Sequence, residues 1–213
     1  MRKREDRTRS GPPDGSPTRT GFNRRDFLKG SGAAAAATAL ATTTETANAQ
    51  DAKSKVRSAK PQKVTLNVNG KDHTLEIEPR VTLLDALRND LNLTGCKDVD
   101  ERDAAGADTV IIDGKAVLAG SRLAIECEGQ KIRTVESLVA DGNIDPVVAG
   151  FVKHDAQQCG FCTPGFVMAM RAFVDKNPKA SAAEIREGLG GNICRCGTYD
   201  GIMKCALELT GGA

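Results

Sequence analysis

Four of the chain's seven cysteines stand in two short pairs, Cys159-Gly-Phe-Cys162 and Cys194-Arg-Cys196, with 31 residues between them. A C-x-x-C and a C-x-C so separated bring four thiolates to one tetrahedral or cluster site from two loops, so the chain between them must double back. Gly160 inside the first pair and Gly165, Gly191 and Gly197 around the two let backbone pass close to sulfur where a side chain would collide. Cys162 precedes the helix-start signal Thr163-Pro164, and Cys196 precedes a helical stretch containing Tyr199 and Ile202. The positive end of a helix dipole lowers a nearby thiol's pKa and favours negative charge. Arg195, between two of the cysteines, offsets that charge or donates outward.

Three chemistries share this pattern. An iron–sulfur cluster fits thiolate-only ligation by loops meeting between helices. Structural zinc takes the same four ligands. A redox dithiol fits Cys159-Gly-Phe-Cys162, although such a motif should follow a strand in a βαβ unit and here it joins helices.

The N-terminal 49 residues do not read as a folded domain. Asn23-Arg-Arg-Asp-Phe-Leu-Lys29, an alanine-rich run from Gly30 to Thr43, and Ala47-Asn48-Ala49 together read as a disordered extension and twin-arginine signal cut after Ala49. The alternative is a basic tail kept in the cytoplasm. The run is too short and too rich in Ala and Thr to span a membrane, which takes about 20 strongly apolar residues. Basic residues crowd this region, so the overall charge of +2 leaves the mature part near neutral or acidic. With no Trp and one Tyr, that part offers no nucleic-acid surface. An exported chain permits disulfides, but the twin-arginine route carries proteins already folded, so a cofactor can be installed before export to the periplasm.

After a charged linker over 50–61, Lys63 to Val68 and His73 to Ile77 alternate about the turn Asn69-Gly70 and predict a hairpin. Thr82 caps a helix with the stripe Leu83, Leu84 and Leu87. A second hairpin over Thr109 to Leu118 turns at Asp113-Gly114, and Lys131 to Val135 supplies a last strand. Hairpin, helix, hairpin and closing strand predict a β-grasp domain over 62–140. From Asp145 the pattern turns helical. Asp145-Pro146 and Thr163-Pro164 are cap-then-proline starts, the second helix stops before Asn177-Pro178, Ser181 and Glu184 form a capping box, and Tyr199 to Leu209 supplies the last helix. The fold class is therefore α+β, a β-grasp domain followed by a four-helix domain over 145–211.

Gln158-Cys-Gly-Phe-Cys-Thr-Pro-Gly165 and Gly191-Asn-Ile-Cys-Arg-Cys-Gly-Thr-Tyr199 closely resemble the helical iron–sulfur domain of the molybdenum hydroxylase family, which includes xanthine dehydrogenases and aldehyde oxidoreductases. The resemblance runs from Lys63 to about Leu209. It implies a ferredoxin-like β-grasp domain and a [2Fe-2S]-binding helical domain. It implies that Cys159, Cys162, Cys194 and Cys196 bind the [2Fe-2S] cluster nearest the molybdenum, and that Gln158 and its backbone approach the pterin. It also implies a large partner subunit carrying the molybdopterin cofactor and often a third carrying FAD.

The first half departs from the family, which holds a second cluster there through C-x4-C-x2-C and one later cysteine. With Leu93-Thr-Gly95 and Thr109-Val110 as anchors, those ligand positions fall on Asp100, Ala105, Asp108 and Gly120, none a cysteine. One cluster is expected, and Lys97 to Asp108 reads as a solvated loop. Its aspartates, Asp98, Asp100, Asp103 and Asp108, lack an EF-hand pattern. Cys127 is expected in or near the core, Cys96 as an unrelated thiol and Cys205 as a small buried hydrophobe. His73 is expected at the surface, and His154 in a packed or hydrogen-bonded role.

The expected function is that of an electron-transfer subunit of a molybdenum-dependent aldehyde or xanthine-type oxidoreductase, with no substrate chemistry on this chain. With the second ligand set lost, electrons are expected to leave the first cluster directly to an external acceptor such as a cytochrome, or not to leave at all. The rivals are a structural or assembly subunit holding a redox-inert four-cysteine metal site, and a degenerate copy without electron-transfer activity.

Overall fold

The computed structural model describes residues 58–99, 104–140 and 142–211. The signal and most of the linker lie outside them, as do Asp100 and Asp103. Strands β1 (Gln62–Val68) and β2 (Lys71–Ile77) form the expected hairpin. Asn69 at φ 53° and Gly70 at φ 78° give the turn whose twist matches the strands. Val64, Leu66 and Val68 face inward along β1, each no more than 1% exposed. Thr82 Oγ1 accepts the Asp85 N–H and starts the short helix α1 (Leu83–Asp85). The chain then widens into a π-type turn over Ala86–Asp90. Leu83, Leu84, Ala86 and Leu87 are buried against β1 and its neighbours.

Strands β3 (Thr109–Ile112) and β4 (Lys115–Leu118) pair about Asp113-Gly114. Strand β5 (Lys131–Arg133) enters between β1, to which it is parallel, and β3, to which it is antiparallel. The sheet order is β2-β1-β5-β3-β4, with Ile132 buried at its centre. The closing strand stops at Arg133, short of the predicted Val135. Asn69 holds Thr134 by two hydrogen bonds of 2.9 Å, and the Thr134 hydroxyl donates to Glu136. These bonds turn the chain into a 3-10 segment over Val135–Leu138. A small hairpin follows, β6 (Val139–Ala140) with β7 (Asn143–Ile144). Two-residue strands have no period to read in a sequence.

Four helices complete the described residues: α2 (Pro146–Lys153), α3 (Thr163–Lys176), α4 (Ala182–Gly188) and α5 (Tyr199–Thr210). Asp145 caps α2 through a 2.8 Å bond from Val147 N, and Ser181 and Glu184 form the predicted capping box of α4. Their apolar faces meet around Val147, Phe151, Phe166, Met170, Ile185 and Ile202. The whole of β3 is buried. Val110 and Ile112 join the core beneath α1, and Ile111 joins the helical core. This alternation explains the unbroken apolar run Val110-Ile-Ile112, since each face of the strand meets a different packed layer.

Candidate metal centre

The C-x-x-C lies on the turn between α2 and α3, and the C-x-C on the turn between α4 and α5. Helix α2 ends at His154, Asp155 takes φ 50°, and Ala156 N returns to Phe151 O at 2.9 Å. Gly201 in α5 presses on this turn: a Cβ there would lie 2.6 Å from His154 O and 2.9 Å from Ala156 Cα. His154 has the hydrogen-bonded role expected of it, with Nε2 2.5 Å from Glu208 Oε2. Lys153 binds the same carboxylate at 2.7 and 2.8 Å. These bonds tie the end of α2 to the last turn of α5.

Helix α3 begins at Thr163 with Cys162 in the capping position, one residue earlier than the predicted Thr163 cap. The Thr163 hydroxyl, relieved of capping, is buried with no hydrogen-bond partner. Gly165, in the first turn of α3, meets the backbone of the sheet half so closely that a Cβ would lie 2.2 Å from Gly106 O.

The second turn is fixed residue by residue. The Asn192 side-chain amide donates to Gly106 O at 2.7 Å and to Thr109 Oγ1 at 3.2 Å, and Ile193 N donates to Ala105 O at 2.9 Å. Cys194 N donates to the Tyr199 hydroxyl at 2.8 Å, while the Tyr199 ring stands edge-on to Phe166 at 6.1 Å. The loop expected to be solvated is therefore docked at its C-terminal end, where Gly106, Ala107 and Asp108 are buried. Its polar composition hides the contact because backbone carbonyls and a glycine make it.

Cys159 and Cys196 are exposed, Cys162 is half-buried, Cys194 is buried, and Gln158 is exposed beside Cys159. Cys162 and Cys194 lie within hydrogen-bonding reach of each other, with Cys159 near enough for its charge to act on Cys162. Burial, then Cys194 and Cys159, push the Cys162 thiol up to about 12. Burial also acts against the Cys194 thiolate. The Thr198 hydroxyl at 3.2 Å, the Thr198 and Gly197 backbone N–H groups and the Cys162 thiol outweigh it and hold Cys194 at about 7. One of the four sulfurs is thus prepared to be anionic by its own loop. Among the described residues no group of three or more His, Cys, Asp or Glu is gathered at the spacing of a single ion.

The donor set fits an iron–sulfur cluster. All the sulfurs are free, the orphan Thr163 hydroxyl adjoins Cys162, and open space surrounds Gly160 and Gly197, both at positive φ. Three large apolar side chains flank the site exposed: Phe161 (50%), Ile193 (52%) and Tyr199 (47%). The Lys97 ammonium stands 5.9 Å from the Phe161 ring centroid.

Elsewhere, Asp108 is 3% exposed and accepts Gly120 N at 2.8 Å, so two of the four aligned second-site positions are joined by a hydrogen bond. Ala105 binds Ile193 through its carbonyl. Cys96, Cys127 and Cys205 are buried core residues, Cys96 Sγ donating to Asp108 O at 3.0 Å. His73 is half-buried on β2. Sequence reasoning missed the parts of Asn192 and Thr198. Thr198 carries no signal of its own in the sequence, and only the fold sets its hydroxyl 3.2 Å from sulfur.

Residues 134–207 match the [2Fe-2S] binding domain family, and residues 21–41 match the twin-arginine translocation pathway signal sequence. The nicotine 6-hydroxylase small subunit of Paenarthrobacter nicotinovorans is 42% identical over 70% of this chain and 89% of its own. The aldehyde oxidoreductase iron-sulfur-binding subunit PaoA of Escherichia coli O157:H7 is 39% identical over 70% and 71%. Among solved structures, quinoline 2-oxidoreductase from Pseudomonas putida 86 aligns with TM-score 0.68 and 35% identity. That alignment covers 72% of this chain and 94% of that one.

Proposed function

The chain belongs to the small iron–sulfur subunits of the molybdenum hydroxylases, and from that premise we propose that it is the electron-transfer subunit of an exported aldehyde or xanthine-type oxidoreductase. Cys159, Cys162, Cys194 and Cys196 hold one [2Fe-2S] cluster in the helical domain over 145–211. When bound, that cluster supplies one-electron acceptance from a molybdopterin site on a large partner subunit. The observation that carries this reading is the meeting of the two cysteine loops, with Cys162 against Cys194 and both turns pinned by α5 and the 105–106 backbone.

The chain's own residues orient and shield. Asn192, Ile193 and Tyr199 fix the Cys194 backbone, and the buried side of the site keeps water from Cys194. Gln158 faces the pterin beside Cys159. The exposed Phe161, Ile193 and Tyr199 form part of the surface covered by the large subunit, since large apolar side chains left exposed on the loops of one site suit a contact surface. The β-grasp domain over 62–140 carries no second cluster. Asp100, Ala105, Asp108 and Gly120 supply no thiolate, and the Asp108–Gly120 hydrogen bond supports a loop that closes without metal. Electrons then pass to an acceptor outside the chain, such as a cytochrome or a separate FAD subunit. The twin-arginine match supports export of the folded chain to the periplasm.

The test is iron and acid-labile sulfide per chain in anaerobically purified protein, with electron paramagnetic resonance after reduction. About two irons, two sulfides and one signal are expected, with signal growth on adding aldehyde to the complex that co-purifies. Zinc in place of iron refutes electron transfer and leaves a structural subunit; about four irons refutes the reading of the first half.

A further inference from the structure

We propose that Thr198 is a positioning residue that sets the redox level of the four-cysteine centre through a hydrogen bond from its hydroxyl to Cys194 Sγ. The inference rests on the reading of Cys194 as a cluster ligand.

Thr198 occupies the capping position of α5, where a threonine oxygen ordinarily accepts an N–H from the helix's first turn. Its side chain makes no such bond. Its carbonyl still accepts Ile202 N at 3.1 Å, so the helix begins normally while Oγ1 lies 3.2 Å from Cys194 Sγ. Thr198 is 6% exposed, and water does not compete for the contact. A ligating sulfur carries no proton, so the hydroxyl is necessarily the donor. Cys194 cannot swing away, because its N–H is held by Tyr199 and the two residues before it are held by the 105–106 backbone.

Reduction adds one electron, and part of its charge falls on the ligand sulfurs; no bond to the chain forms or breaks. A donor bonded to sulfur is stronger against the more negative state and so favours the reduced form. Removing the hydroxyl therefore lowers the potential. Because the hydroxyl does no capping, its loss leaves α5 intact.

The experiment is a redox titration, followed by electron paramagnetic resonance, of the anaerobically purified full chain with its co-purifying partner. Wild type, Thr198→Val, Thr198→Ala and Thr198→Ser are compared, with iron and sulfide counted in each. Both variants lacking the hydroxyl should show about a tenfold lower reduced-to-oxidised ratio at fixed poise, equivalent to a midpoint about 59 mV lower for one electron. Thr198→Ser should return to the wild-type value. Thr198→Val with full cluster content and a wild-type midpoint overturns the proposal. So does Thr198→Ser behaving like Thr198→Val, or cluster loss from both Val and Ala variants with retention by Ser, which would make the hydroxyl purely structural. Wild type without iron and sulfide overturns the ligand reading itself, and that result is visible before any variant is compared.

Discussion

Gly165→Ala tests the junction on which the second cysteine loop depends, because two effects of opposite sign act there. In a helix without close neighbours the change is stabilising, by up to about 1 kcal/mol. Here the new Cβ would lie 2.2 Å from Gly106 O, 2.8 Å from Ala107 Cα and 3.0 Å from Ala107 C. All three are backbone atoms, so none can rotate aside. Reaching ordinary contact requires the 106–107 backbone to retreat by roughly 1 Å. Gly106 O also accepts from the Asn192 amide at 2.7 Å and from the Thr109 hydroxyl at 2.6 Å, and both bonds lengthen with the retreat. Overpacking costs about 1–3 kcal/mol and each weakened buried hydrogen bond about 1 kcal/mol. Against the propensity gain, the expected net loss is about 2 kcal/mol, a fall in Tm of about 4–8 °C for a folded part of this size. Thermal and urea unfolding of the cluster-loaded chain measure it, with faster loss of visible absorbance expected because Asn192 leads into Cys194. A Tm equal to or above wild type would refute the close approach. Gly160→Ala is the contrast: no atom of the chain lies within 4 Å of its Cβ position but φ is +81°, so in the chain without its cluster only backbone strain of about 1 kcal/mol is at stake.

Cys194→Ala should abolish bound iron and the paramagnetic signal, whereas Cys205→Ala, buried beside Met170, should keep both and lose about 1 kcal/mol of stability; iron assays and urea midpoints decide. Asp108→Ala should leave Gly120 N without the Asp108 acceptor and cost about 1–3 kcal/mol, with iron per chain unchanged at about two; a wild type with about four irons that falls to about two in the variant would show that the first half does hold metal. Lys153, then His154, hold the Glu208 carboxyl below its usual range. Its contribution is therefore present above about pH 4.5 and is lost as pH falls through the depressed value. Tm curves of wild type and Glu208→Gln should differ near pH 6 and draw together only as pH falls below about 4.5 and through the depressed value, and a gap that widens on acidification would refute the assignment.

The hairpins at Asn69-Gly70 and Asp113-Gly114, the caps at Thr82, Asp145 and Ser181, and the last two helices were legible because each is a local choice. Turn residues and period depend on a few neighbours and do not need the rest of the chain. The four cysteines stand out for a similar reason, since thiolates at this spacing serve few chemistries; the glycines did not give the approach expected of them, because Gly165 meets the 106–107 backbone rather than sulfur and no atom of the chain lies within 4 Å of a Cβ at Gly160, Gly191 or Gly197. Resemblance added the partner and the pterin. Less was visible where backbone rather than side-chain chemistry makes the contact. The 104–108 stretch reads as solvated by composition, yet Gly165 and Asn192 bury its carbonyls. Val135 reads as strand, yet Asn69 captures Thr134 from the far end of the first hairpin.

The sequence by itself determined which sulfurs and which helices this protein has, because ligand type and local period are properties of short segments. Only the tertiary structure decided how the sulfurs differ. Cys162 and Cys194 are the same side chain, but burial beside another thiol raises one, while the Thr198 hydroxyl, two N–H groups of its own turn and the Cys162 thiol lower the other. Proton affinity is set by the field at the atom; the turn's own donors lie close in sequence, but the burial and the facing thiol are brought there only by the fold.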